Sequence, residues 1–270
     1  MTGEGRLGAV SIGIPGRTPL DTVRALATRV ERLGFGTLWV NDLPNGDSLA
    51  ALRAAAEVTD RIGLATGVIP LDRRPAESLD LDGLPADRLV LGVGSGAAAR
   101  PLGLVRDGVA LLRTRTDAAI VVGALGPRMR RLAATEADGV LLNWLTPQAA
   151  AEASADLCRD AADRPDRPAT PAAPGRPVRA VLYVRTIADT AARGVLEREA
   201  DGYARIPAYA ANFERLGFRA IDATLDGPAR LADYRAEVDE VVLRAITPAG
   251  TLEELEAFAE ATAAWVPREG

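Results

Sequence analysis

Short runs of β-branched and apolar residues recur along this chain, each followed by a stretch of Ala, Leu and Arg at helical spacing. From residue 7 to about 146 the alternation is regular, which is the signature of repeated βα units built on a parallel sheet. The strand segments read as unbroken apolar runs because helices cover the outside of such a sheet. The pattern predicts strands over 9–14, 37–40, 62–68, 88–93, 119–122, 139–143, 178–185 and 240–246. Predicted helices run from an N-cap at Thr18 to 33, with Gly34 as the stop, then over 48–59, 103–113, 127–135 and 147–162. Further helices are predicted over 187–200, 203–216 and 230–238, and a last one opens at Thr251, where Glu254 three residues on completes a capping box. Residues 75–85 leave room for a turn or two of helix. Eight strands in 270 residues fit one (β/α)₈ TIM barrel as a single domain. The proline-rich segment 163–177 reads as an extended surface loop within it.

Two absences narrow the chemistry: the chain has no histidine, and all 32 of its basic side chains are arginine. Without lysine there is no Schiff-base aldolase, no lysine-anchored pyridoxal phosphate and no Walker-type phosphate loop. Without histidine there is no Ser-His-Asp triad, no Cys-His pair and no imidazole-bound metal. Cys158 is the only cysteine, so an intramolecular disulfide and a cysteine zinc cluster are excluded, and it reads as a small residue on a helix. No metal site is expected. A net charge of −5 with scattered arginines gives no footprint for nucleic acid. No run approaches the roughly 18 apolar residues of a membrane span, and the N-terminus lacks a signal-peptide core, so a cytoplasmic protein acting on a small molecule is expected.

In a parallel barrel the ligand lies at the C-terminal ends of the strands. Four segments stand there: Asn41-Asp42, Gly67-Val68-Ile69-Pro70, Gly92-Val93-Gly94-Ser95-Gly96 and Gly123-Ala124-Leu125-Gly126-Pro127. Glycine turns let the backbone approach a ligand and present N–H groups to an anion, and they also occur where strand-to-helix turns are sterically tight. Trp39 and Trp144 read either as packing or as ring-stacking groups. Asp42 reads either as a polar contact to a ligand or as a loop cap, and Arg185 either as a phosphate partner or as an ion pair with Asp189.

The segments 33–42 (Leu-Gly-Phe-Gly-Thr-Leu-Trp-Val-Asn-Asp), 61–68 (Arg-Ile-Gly-Leu-Ala-Thr-Gly-Val) and 88–96 (Arg-Leu-Val-Leu-Gly-Val-Gly-Ser-Gly) resemble the second to fourth strands of luciferase-like flavin- and F420-dependent oxidoreductases. Gly123 to Met129, with Ala133 and Ala137-Asp138-Gly139-Val140, resembles their fifth and sixth strands in the expected order. The likeness covers roughly 7–146. It implies a hydride-transferring oxidoreductase or monooxygenase with F420, or alternatively FMN, lying across the strand ends. Asn41 and Asp42 would orient the ring's polar edge. Thr66, Gly67, Val68, Gly92, Gly94, Ser95 and Gly96 would contact the cofactor, and Gly123, Ala124 and Gly126 its phosphate, with Asn143 as a further polar contact. A non-proline cis peptide is implied near Gly67-Val68. A homodimer through barrel helices follows by analogy, with the alanine-rich helix 48–59 as a close-packing surface.

The chain also departs from that pattern. Leu43 stands where F420-type members often carry a histidine, and the insertion after the fourth strand is reduced to about 97–101. These departures support a rival expectation, a trimmed non-catalytic homologue that binds a phosphorylated ligand or serves as a structural partner. The discriminator is whether the glycine turns are open to an anion or filled by side chains.

Overall fold

The computed structural model describes residues 7–162 and 178–266, and over them the alternation of the sequence becomes a closed barrel. Eight parallel strands make the ring: β1 (Ala9–Pro15), β2 (Thr37–Asn41), β3 (Gly63–Thr66), β5 (Leu89–Gly94), β6 (Ala119–Gly123), β7 (Gly139–Asn143), β8 (Arg179–Thr186) and β10 (Glu240–Ala245). Closure comes from β10, which pairs with β1 on one side and with β8 on the other. Two short strands lengthen the mouth. β4 (Ile69–Pro70) lies beside β5 beyond the end of β3, and β9 (Thr224–Leu225) lies beside β8 beyond the end of β7. The molecule is a single-domain (β/α)₈ barrel, as the alternation predicts.

The outward strand residues, among them Ile12, Leu38, Leu64, Leu91, Ile120, Leu142, Leu182 and Leu243, are buried beneath the helices. Burying such a side chain contributes about 1.5–3 kcal/mol. The inward set, Trp39, Ala65, Val90, Val121, Leu141, Val181, Tyr183 and Val242, fills the barrel itself. The helices are α1 (Leu20–Leu33), α2 (Ser48–Ala56), α3 (Pro101–Arg113), α4 (Pro127–Glu136), α5 (Pro147–Ala162), α6 (Arg193–Ala204), α7 (Pro207–Leu216), α8 (Leu231–Glu237) and α9 (Leu252–Ala263). Around the wall α1 packs on α2 and α9, α3 on α4, α4 on α5, and α5 on α8. After β4 a 3₁₀ turn, Ala76–Ser78, stands in place of a full helix and packs on α3. Gly108 of α3 lets this segment approach: a Cβ there would lie 2.5 Å from Leu71 Cδ1, just after β4, and 3.7 Å from Ala76 Cβ in the turn.

Several boundaries differ from the sequence expectation for local reasons. Thr18 does not cap α1. Its hydroxyl donates to the Pro15 carbonyl at 2.7 Å, and Pro19 occupies the cap position. The helix expected over 48–59 ends at Ala56, because the Glu31 carboxylate accepts the amides of Asp60, Arg61 and Ile62 and draws the chain out of the helix. Residues 187–189 are not helical, since the Ile187 amide bonds to Leu225 of β9 at 2.9 Å and Asp189 caps a 3₁₀ turn at Thr190–Ala192. The stop at Gly34 (φ 86°) and the Thr251–Glu254 capping box are present as expected. Cys158 lies on α5 as expected but faces solvent. Of the alanines of α2, Ala51, Ala54 and Ala55 are buried against the barrel, and Ala50 and Ala56 are half-buried. The expected loop 163–177 lies outside the described residues. Among the described residues no helix is long and apolar enough to cross a membrane.

Candidate active site at the barrel mouth

The barrel floor is sealed by one buried carboxylate. Glu240 of β10 is fully buried and accepts hydrogen bonds from Ser11, from Trp39 Nε1 at 2.9 Å and from Arg179 at 2.7 Å. Above it Trp39 meets Tyr183 edge-on, with ring centroids 5.8 Å apart. The mouth above these rings has two unlike halves, one of glycines and one of polar side chains.

The glycine half comes from β3, β5 and β6. The peptide Gly67-Val68 is cis, as the resemblance implies. Thr66 is buried, and its hydroxyl bonds the carbonyl and the amide of Gly92, each at 2.9 Å, locking β3 to β5. A Cβ at Gly67 would lie 2.5 Å from the Tyr183 hydroxyl oxygen, and one at Gly94 2.8 Å from a Val68 methyl. At Gly123 the nearest Val68 methyl would be 3.1 Å away. These glycines therefore let Val68 lie flat across the strand ends. Asn41, Val68, Gly123 and Asn143 are half-buried, so the mouth remains open to solvent.

The two glycine turns differ as anion seats. At Gly96 (φ 56°) the Asp72 carboxylate fills the concavity: a Cβ would lie 1.8 Å from Asp72 Oδ1, and the Ala97 amide donates to Asp72 Oδ2 at 2.9 Å. A carboxylate of the chain thus stands where an external anion would sit, and the nearby Ser95 hydroxyl turns to the Gly96 carbonyl at 3.4 Å. The start of α4 is open by comparison. Gly126 at its N-cap has no side-chain cap, and nothing lies within 4 Å of a Cβ placed there. The Ala124 amide is already bonded to the Leu141 carbonyl, so an anion would rely on the amides around Gly126 and on the positive end of the α4 dipole.

Asn41 and Asp42 diverge. Asn41 points across the mouth, donating to the Gly67 carbonyl and accepting from Arg244 Nε at 2.9 Å. Asp42 is buried behind the wall. It accepts the Ser48 hydroxyl at 2.7 Å and pairs with Arg74, which also pairs with the α2 cap Asp47 at 3.1 Å. Its carboxylate thereby fixes the loop between β2 and α2.

The polar half was only partly legible. Asn143 accepts a hydrogen bond from Arg185 and donates to the Tyr209 hydroxyl at 3.4 Å. Arg185 pairs not with Asp189 but with Glu199 of α6, at 3.0 Å. Its guanidinium lies 4.2 Å from the Trp144 ring centroid and 4.7 Å from that of Tyr203. Trp144, at φ 55°, thus packs beneath Arg185 rather than facing a ligand. Burial would raise the Glu199 carboxyl, but Arg244, Arg185 and Arg17 outweigh burial and hold it below its usual range. The Arg244 pKa is lowered as well, but here burial is the main cause, with the neighbouring Arg185 adding to it against the pull of Glu199. Neither Glu199 nor Arg244 carries a sequence signal, because each matters only through what α6 and β10 bring beside it.

A family model described as luciferase-like monooxygenase matches residues 6–117 and 105–266. A 5,10-methylenetetrahydromethanopterin reductase from Methanolobus tindarius is 27% identical over 170 residues, 48% of this chain and 52% of the reductase. The chain thus aligns with about half the length of that curated relative. Among solved structures, the coenzyme F420-dependent tetrahydromethanopterin reductase from Methanopyrus kandleri superposes with a TM-score of 0.67 at 17% identity, covering 97% of this chain and 99% of that one. The oxygenating constituent of 3,6-diketocamphane monooxygenase from Pseudomonas putida, solved with FMN, gives 0.64 at 14% identity over 96% and 99%. At these identities the structural likeness shows the shared fold.

Proposed function

Because the chain belongs to the luciferase-like monooxygenase family, we propose that it is an oxidoreductase moving a hydride between reduced F420, or alternatively FMN, and a small organic substrate at the barrel mouth. The observation that carries this reading is the pairing of a glycine-lined, solvent-open half-mouth with an uncapped helix start beside it. When bound, the cofactor supplies the hydride chemistry itself. Gly67, Val68 and Gly94 would line its ring, with Thr66 and Gly92 holding that wall in place. The amides around Gly126 at the start of α4 would hold its phosphate, a placement favoured by the helix dipole, with Gly123 and Ala124 lining the approach to it. Asn41 would face the ring's polar edge and Asn143 its opposite rim. Asp42, tied to Ser48 and Arg74, would act by positioning the loop that carries Asn41. Ser95 and Gly96 fit a cofactor contact less well than the start of α4, since Asp72 occupies their turn. F420 is preferred over FMN because two reductases similar to this chain act on tetrahydromethanopterin substrates and one of them is named as F420-dependent.

The same reading places the protein in the cytoplasm, acting on a small molecule rather than on nucleic acid or a membrane. A homodimer belongs to it too, through a face other than the buried alanines of α2. One observation favours the rival, non-catalytic homologue: Asp72 filling the Gly92–Gly96 turn. Titrating the purified chain with F420 and, separately, with FMN while following cofactor fluorescence decides between them. Saturable binding of F420 that weakens in Gly126→Val supports the proposal. No binding of either cofactor refutes it in favour of the non-catalytic reading.

A further inference from the structure

Beside the polar half of the mouth, between the ends of β1 and β10 and under α6, lies a cleft of about 410 Å³. Its size suits a small organic molecule. Its walls mix apolar side chains, Val195, Ile246 and Leu255 among them, with Arg17, Arg244 and Glu199. The charge balance is uneven. Arg244 is only 7% exposed, yet among the described residues no carboxylate forms an ion pair with it. Its Nε is bonded to the Asn41 amide oxygen and its Nη1 to the Ala245 carbonyl, both neutral acceptors. Glu199, the one acid in the cleft, is bonded to Arg185 behind it. Arg17 is exposed at the rim. Three guanidiniums, those of Arg17, Arg185 and Arg244, therefore share the field of one carboxylate that is bonded to Arg185, and a buried cation with no anion bonded to it is costly unless one is supplied. The adjoining turn supplies none of the attraction through its backbone, because the amides of Ala249 and Gly250 are already bonded to Glu254.

We propose that Arg244 and Arg17 form a subsite for the acidic group, a carboxylate or a phosphate monoester, of a small organic substrate whose apolar body lies against Val195, Ile246 and Leu255. The position suits a substrate. Arg244 bonds Asn41, and Asn41 bonds the Gly67 carbonyl, so the anion would be anchored one side chain away from the wall proposed to carry the cofactor ring. Calling the bound acid a substrate rests on the oxidoreductase reading, while the anion subsite itself does not.

The probes are inorganic phosphate and benzoate, added to the full chain at low chloride, with the melting temperature followed by differential scanning fluorimetry. We expect saturable stabilisation by at least one probe. Its apparent Kd should weaken by about tenfold or more in Arg244→Met and roughly threefold in Arg17→Met, as befits loss of a charge-assisted hydrogen bond. Arg61→Met, an exposed arginine without a role in the cleft, should leave it unchanged. If Arg244→Met fails to fold, Arg17→Met carries the comparison. No saturable effect, or an equal loss in Arg61→Met, overturns the subsite. The source of the anion is separated by titrating F420 and FMN at saturating probe. Independent binding supports a substrate subsite, and competition overturns it by assigning the cleft to the cofactor's own phosphate. If the probes protect while neither cofactor binds, the oxidoreductase reading fails and the anion subsite stands.

Discussion

At Gly92 a Cβ would lie 1.9 Å from the carbonyl oxygen of Thr66, a backbone atom fixed by the β3–β5 pairing. At Gly103, in the first turns of α3, nothing lies within 4 Å of the same atom. The two residues look alike in sequence and should behave oppositely. Gly92→Ala should lose about 3 kcal/mol or more by forcing strands apart. Gly103→Ala should gain about 0.4–1 kcal/mol by restricting the unfolded chain without a clash. Urea unfolding of both variants checks this, and a tolerated Gly92→Ala would show that the strand ends can yield. The same distinction separates the glycines of the mouth. Gly67, Gly92 and Gly94 are required by neighbours, whereas Gly126 faces open space. The sequence marks all four identically, because it cannot show what lies opposite a missing side chain.

Elements were legible where their ends carry their own chemistry. Gly34 ends α1 in the left-handed conformation, and Thr251 opens α9 by accepting the Glu254 amide at 3.3 Å while Glu254 accepts the Thr251 amide in return. Thr251→Ala should therefore cost about 1 kcal/mol, read as a lower urea midpoint with an unchanged slope, and Thr251→Ser should recover most of it. Ends set by distant partners were not legible. The Glu31 carboxylate that terminates α2 acts from α1, and β9 holds residues 187–189 out of α6. Strand lengths failed similarly: β3 stops at Thr66 before the cis Gly67-Val68 peptide, and β4 exists only through its pairing with β5.

For the whole molecule, the Glu199–Arg185 contact joins α6 to the barrel, so its protonation should be felt as loosening over the mouth. The Glu199 carboxyl lies below its ordinary value of 4.5 in the folded state. Its stabilising contribution is therefore fully present above that pH and is lost as the pH falls through the lower folded value. Glu199→Gln should be less stable than the parent chain at pH 7 by about 1–3 kcal/mol, and the difference should shrink below pH 4.5. Acid titration of urea stability follows this, with Trp144 fluorescence as a local report because the Arg185 guanidinium lies over both the Trp144 and the Tyr203 rings. A difference that stays constant to low pH would place the effect in packing instead of charge.

What the sequence determined by itself is the barrel. Alternating strand and helix periods, glycine stops and the capping box are local properties, and their sum admits one closed parallel architecture for a chain of 270 residues. The composition likewise removed lysine and histidine chemistry before any fold was considered. Only the tertiary structure decided how the mouth is furnished. Asp72 meets Gly96 from another loop, Arg185 meets Asn143 and Glu199 from different elements, and Arg244 reaches Asn41 across 203 residues of chain. These encounters depend on strand register and on β10 closing between β8 and β1. A shift of one residue in either pairing would turn the same side chains to the opposite face.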